Sequence, residues 1–146
     1  MGRNKERNTS VRILILDDTP YRHEVFARLY EGHEITSCYS YFGYLEALRS
    51  SPWDLVHLDH DLGNDSVADT YVDGWGNTRQ YNGSHAAMRI CELDDDKRPK
   101  EVIIQSVNPS GAQGMLQMLQ RANVNVSWQP FSEPSWDLQA EQERKL

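Results

Sequence analysis

The sequence is short of cysteine, of positive charge and of long apolar runs. Its two cysteines, Cys38 and Cys91, form neither a metal-type spacing nor the dense pattern of a disulfide-built small domain, and both are expected to be buried free thiols. Lysine and arginine number 15 against 22 aspartates and glutamates, a net charge of −7. Such a surface repels polyanions as a whole, so no extended nucleic-acid face is expected. A nucleotide or an RNA end would need a local cationic pocket or a metal. The longest unbroken apolar stretch, Ile13 to Leu16, is far below the roughly 20 residues that cross a bilayer. The basic opening MGRNKERNTS leads only into that stretch, so neither a secretory signal nor a membrane span is read there, and the cytoplasm is the default compartment.

What is present is a repeating alternation of short apolar runs and helical patterns. At 146 residues the chain suffices for one domain with a real core. It is expected at residues 11–131, between a flexible tail at 1–10 and a tail at 132–146 with an amphipathic patch around Trp136 and Leu138. Val11 to Leu16 reads as a strand covered on both faces and ends in Asp17-Asp18. A helix from Pro20 to about Tyr30 follows, with Val25, Phe26 and Leu29 as its apolar face, and Gly32 stops it. A second strand spans Glu34 to Ser40, and a helix from Tyr41 to Ser50 carries Tyr44, Leu45 and Leu48 at helical spacing. The run DLVHL, Asp54 to Leu58, is a third buried strand that passes directly into Asp59-His60-Asp61-Leu62-Gly63.

Residues 64–83 are rich in Asn, Asp, Gly and Tyr without periodicity, a long loop of the functional or disordered kind. Ser84 is the expected N-cap of a helix to about Leu93 that buries Ala87, Met88 and Cys91 or their neighbours. Asp94, Asp95 and Asp96 read as a solvated turn. Glu101 to Ser106 is a fourth strand, followed by Asn108-Pro109-Ser110-Gly111 and a helix carrying Met115, Leu116, Met118 and Leu119. Val124 to Trp128 is a fifth, ending in Gln129-Pro130-Phe131. The alternation predicts a three-layer α/β sandwich around a five-stranded parallel sheet of order 2-1-3-4-5. In that order the carboxyl ends of strands one and three flank the switch point where ligands bind.

Asp17, Asp18, Asp59 and Asp61 lie at those two strand ends. Carboxylates crowded into a cleft repel one another, and a divalent cation relieves this; hard oxygen donors suit Mg²⁺ or Mn²⁺, with a substrate phosphate completing the shell. A lone acid pair would more simply cap a helix. Two groups flanking a switch point favour the metal. His60 stands between two acids that would tune it for proton transfer, whereas His57, inside the strand, reads as a hydrogen-bonded core residue. Ser106 and Asn108 end strand four beside strand three. They either offer a hydroxyl and an amide to phosphate oxygens or close a turn onto the next helix, whose N-terminus is an anion seat.

The strings LDDTPYRHEVF at 16–26, LDHDLG at 58–63 and SVNPSGAQGM at 106–115 resemble, in order and context, the cyclic-phosphate-processing receiver domain. That family is a receiver-like (flavodoxin-like) relative of response-regulator receivers, associated with RNA repair and phage genomes. The resemblance implies that Asp17 and Asp18 hold the metal, that Asp59 stands where receivers accept a phosphoryl group, and that Ser106 contacts the phosphoryl oxygens. It further implies that Arg22, the arginine after the acid pair, reaches the phosphate, unless it merely pairs with Glu24 or another acid at the surface.

Two positions depart from the pattern. Gln129-Pro130 replaces the receiver Lys-Pro, removing a cation that an amide cannot replace on a dianion, and Gln105 stands where the branch often has histidine. A histidine-dependent mechanism then falls to His60 or His85. Arg79, Trp75, Tyr81 and His85, in or beside the long loop, either contact a nucleotide base or fold the loop onto the body.

The reading implied is a Mg²⁺- or Mn²⁺-dependent phosphohydrolase acting on a cyclic phosphate, such as a 2′,3′-cyclic phosphate RNA end or a cyclic nucleotide, with phage counter-defence as a variant. Asp59, His60 and Asp61 would be its catalytic residues, and Ser106, Asn108, Arg22, His85 and Arg79 its phosphate- and substrate-binding set. The alternative is a non-enzymatic receiver-like module that senses phosphate or binds a protein. A true phosphoacceptor receiver is disfavoured by Gln129 and the long loop. The fourth helix with strand five is the expected face of a possible homodimer.

Overall fold

Ile13, Leu14, Ile15 and Leu16 are all inaccessible to solvent, so the strand they form is covered on both faces. The computed structural model describes residues 10–63 and 69–132. The patch around Trp136 and Leu138 and most of the expected N-terminal tail lie outside them. The elements run β1 (Arg12–Leu16), α1 (Pro20–Leu29), β2 (Glu34–Cys38), α2 (Tyr41–Leu48), β3 (Leu55–Leu58), β4 (Thr70–Val72), β5 (Thr78–Gln80), α3 (Gly83–Cys91), β6 (Glu101–Ile104), α4 (Pro109–Arg121) and β7 (Val126–Trp128).

The main sheet has the order β2-β1-β3-β6-β7, every pairing parallel. This is the expected 2-1-3-4-5 order once the small β4-β5 sheet is set aside. Alternate residues serve opposite layers. Leu14, Leu16, Val56, Leu58, Val102 and Ile104 pack under α2, α3 and α4 with Tyr44, Ile90, Met115 and Leu119, while Ile13 and Ile15 meet Phe26 of α1. Each fully buried aliphatic side chain contributes roughly 1.5–3 kcal/mol, so the sheet is stabilised from both layers.

Several local expectations are corrected. The stretch expected as one long loop carries a hairpin in its described part, 69–83, where β4 and β5 pair antiparallel, Tyr71 opposite Arg79. Helix α3 is capped by Asn82, not Ser84: the Asn82 side chain accepts from Ser84 N–H at 2.8 Å, and its own N–H donates to His85 Nδ1 at 3.0 Å. The helix thus begins two residues earlier than expected; Ala87 is buried as expected, with its neighbours Ala86 and Ile90, while Met88 is 45% exposed. Leu29 is likewise exposed, because α1 uses Val25 and Phe26 against the sheet. Cys38 is buried and Cys91 half-buried, both as free thiols.

The excursion from β3 to α3 is closed at its base. Gly83 N–H donates to His60 O at 2.8 Å, and a Cβ on Gly83 would collide with the Asp59 carbonyl. Glycine is required there by this backbone approach. The hairpin is thereby anchored at the carboxyl end of β3.

Candidate metal and phosphate site

Asp17 follows β1 and Asp59 follows β3, strands paired from Ile13–Leu55 to Leu16–Leu58. Both acids are buried. Together with half-buried Asp18 they offer carboxylate oxygens within 4.8 Å of one another. Burial and the charge of Asp17 push the Asp59 carboxyl up to about 7, against the opposing pull of Arg22. Three hard oxygen donors at this spacing, in a site that penalises their unneutralised charge, fit an oxygen-loving divalent ion.

Arg22 is the cation at these acids. Its Nη1 lies 3.2 Å from Asp17 Oδ2 and 3.6 Å from Asp59 Oδ2, and the guanidinium sits 4.8 Å over the Phe131 ring. It does not stand off at the surface with Glu24. Gln129 does not substitute for a lysine: its amide donates to Ser127 Oγ at 3.0 Å in an exposed position. The positive charge therefore comes from α1, not from the end of the last strand.

Asp17 is fixed from several directions. Thr19 N–H donates to Oδ1 at 2.8 Å, and Gln105 Nε2 donates to Oδ2 at 2.7 Å. The Gln105 carbonyl oxygen lies 2.8 Å from His57 Nδ1, which must therefore carry the proton, leaving Nε2 to accept from the Tyr30 hydroxyl at 2.7 Å. Burial holds His57 neutral, its pKa lowered to about 4. His57 is thus the satisfied core residue expected. The relay itself was missed. A polar residue inside a buried strand needs a partner on the same face, and that face held Gln105, noted only as a departure from the family pattern.

His60 donates its backbone N–H to Asp59 Oδ1 at 2.9 Å and holds its Nδ1 2.7 Å from Asp61 Oδ1. Its ring lies against Gly111 in the first turn of α4, where a Cβ would come within 2.5 Å of the ring. Asn108 caps α4 by accepting from Gly111 N–H at 3.1 Å, and its amide approaches Asp61 Oδ1 at 3.4 Å. Ser106, buried, accepts from Asn108 N–H at 3.0 Å. The turn-closing role weighed for Ser106 and Asn108 is therefore present in the structure. Among the described residues the serine hydroxyl donates no hydrogen bond, so its proton can be offered to an anion.

Arg79 and His85 do not enter the acid cluster. Both line a neighbouring cavity of about 460 Å³ whose walls include His60, Asp61, Tyr71 and Tyr81. Arg79 Nε pairs with Asp73 at 2.9 Å. Trp75, 89% exposed, lies in the hairpin turn and does not line that cavity.

A five-stranded parallel sheet with an acid pair after its first strand and an aspartate after its third, at the switch point, defines a receiver-type domain. Within that class, the chain belongs to the cyclic-phosphate processing receiver domain family, which it matches over residues 12–121. It is similar in fold to a CheY-like receiver domain from Methylobacillus flagellatus (TM-score 0.60, 16% identity, covering 92% of this chain and 98% of that one). It is also similar to the response regulator TrrA from Thermotoga maritima in complex with Mg²⁺-BeF (0.58, 19%, 93% and 99%). NtrX from Brucella abortus is matched at 0.56 and 18% identity over 91% of this chain, which spans only 26% of that longer protein. No curated protein matches. Among the described residues no helix is long and apolar enough to cross a membrane.

Proposed function

We propose that the acid cluster binds Mg²⁺ or Mn²⁺ through Asp17, Asp18 and Asp59 and that the domain hydrolyses a cyclic phosphate, on a nucleotide or an RNA end. The observation that carries this reading is the His60–Asp61 pair beside Asp59. A receiver that only accepts a phosphoryl group has no use for an oriented proton carrier. With Nδ1–H donated to Asp61, His60 presents Nε2 as the proton-accepting nitrogen. Opening a cyclic phosphate adds water across one P–O ester bond, and His60 is the group to take the proton of the attacking oxygen and return it to the departing ribose oxygen. The bound ion would neutralise charge on the phosphoryl oxygens. Asp59 serves as ligand or nucleophile, Arg22 is placed to move from the carboxylates onto the phosphate, and Ser106 with the N-terminus of α4 offers hydrogen bonds to it.

A second reading is a non-enzymatic receiver-like module that binds phosphate or a protein partner. The outward-turned Gln129 and the commitment of Asn108 to capping favour it. The two are separated by offering purified protein a panel of cyclic-phosphate nucleotides and RNA ends with Mg²⁺, Mn²⁺ or EDTA, alongside Asp59→Asn. Turnover that needs both metal and Asp59 establishes the hydrolase; metal-dependent binding without turnover establishes the module.

A further inference from the structure

The cavity beside the acid cluster is larger than a phosphate needs. At about 460 Å³ it falls in the roughly 300–1,000 Å³ range of organic-ligand sites, and a lone phosphate would leave most of it empty. One wall is the end of β3, His60 and Asp61, and the other is the β4-β5 hairpin with Tyr71 and Arg79.

The hairpin is built into the body, so the cavity exists before any ligand arrives. Asp69, buried, accepts from Tyr41 N–H at 2.8 Å at the start of α2. Tyr81 N–H donates to Asp69 O at 3.0 Å, and the Tyr81 ring stacks on Tyr41 with centroids 4.2 Å apart. Tyr81 is thus spent on anchoring, and Tyr71, tilted against it at 4.7 Å, is the aromatic wall left for a ligand. The Gly83–His60 hydrogen bond at the base of the excursion places this wall next to Asp59.

The polar groups match one chemical class. His85 Nδ1 accepts from Asn82 N–H at 3.0 Å, so Nε2 carries the proton, 3.4 Å from the Tyr71 hydroxyl. Arg79, its Nε held by Asp73 at 2.9 Å, adds a cation. An aromatic face, neutral donors and one cation beside a phosphate site suit a sugar and a base. The net charge of −7 opposes a longer polyanion.

We propose that this cavity is a nucleoside subsite, in which Tyr71, Arg79 and His85 hold the ribose and base of a single nucleotide whose phosphate lies at the acid cluster. The inference rests on the phosphate-binding reading above but not on hydrolysis. Its test uses probes the protein does not need to turn over: inorganic phosphate and a nucleoside 3′-monophosphate, titrated calorimetrically into the full chain with Mg²⁺.

The monophosphate is expected to bind about tenfold or more tightly than inorganic phosphate. Tyr71→Ala and the more exposed Arg79→Ala should each remove most of that difference while leaving phosphate binding unchanged. Equal binding of the two probes, or variants that weaken both alike, would overturn the subsite. Thermal melts confirm that each variant is folded, and Arg79→Ala keeps the test standing if Tyr71→Ala is not. Failure of the hydrolase reading shows separately, as absence of turnover with the nucleotide preference intact.

Discussion

Gln105 holds Asp17, its Nε2 donating to Oδ2 across 2.7 Å while its carbonyl oxygen accepts from His57 Nδ1 at 2.8 Å. Both partners are buried, and the amide has one orientation that satisfies both. Gln105→Leu leaves the His57 proton unpartnered and takes away the shortest of the donors on Asp17 Oδ2, leaving Arg22 on that oxygen and Thr19 N–H on Oδ1. Urea denaturation should show a loss of about 1–3 kcal/mol, and Mn²⁺ affinity should fall with it. Unchanged stability and metal affinity would show that Gln105 does not hold Asp17 in place.

Arg22 occupies the oxygens a metal would use, at 3.2 Å from Asp17 and 3.6 Å from Asp59. Arg22→Ala should therefore tighten Mn²⁺ binding in the absence of phosphate, by about tenfold for one removed neighbouring charge. Phosphate affinity in the presence of metal should weaken by a similar factor. Titration of the ion and then of phosphate into the same sample reads both signs.

Two glycines make contrasting predictions. Gly83→Ala drives a methyl into the Asp59 carbonyl, a backbone clash with no side chain to yield, and should cost about 3 kcal/mol or prevent folding. Gly111→Ala meets the His60 ring at 2.5 Å, and the ring can turn. The melting temperature should change little, while the His60–Asp61 pair is lost, visible as a changed imidazole nitrogen spectrum and, on the hydrolase reading, as lost turnover.

Two buried groups pull the pH dependence of the metal-free protein in opposite directions. Asp59 keeps its proton up to about 7 when folded but loses it near 4 when unfolded, so its contribution to stability declines as pH rises from 4 to 7. His57 resists protonation down to about 4 when folded but gains a proton below roughly 6.5 when unfolded, so its contribution declines as pH falls from 6.5 to 4. The two nearly cancel between pH 4.5 and 6.5, by about one proton each. Asp59→Asn removes the first alone, so stability should rise more steeply with pH across this window in the variant than in the wild type. Denaturant midpoints at several pH values check the sign.

The sheet order and the acid pair were legible because buried parallel strands are written as apolar runs, VRILIL above all, and the charges begin where the runs stop. The hairpin was not. Strands as short as Thr70–Val72 and Thr78–Gln80, the second wholly exposed, carry no apolar alternation, and a stretch rich in Asn, Asp and Gly reads as loop. His57 was rightly assigned to the core, but its partners came from 48 and 27 residues away, a contact no local pattern encodes. The lysine missing at Gln129 was visible in the sequence. That Arg22 fills its electrostatic place depends on Phe131 lying beneath it, which only the folded chain brings about.

Asp17, Asp18 and Asp59 are proposed to form one divalent-metal site that recruits phosphate. Electron paramagnetic resonance of Mn²⁺ titrated into the protein tests it most directly, with wild type, Asp17→Asn and Asp59→Asn compared with and without inorganic phosphate. One ion per chain is expected, tightened by phosphate and lost or greatly weakened in both variants. Equal Mn²⁺ binding by all three proteins, or binding indifferent to phosphate, would contradict it.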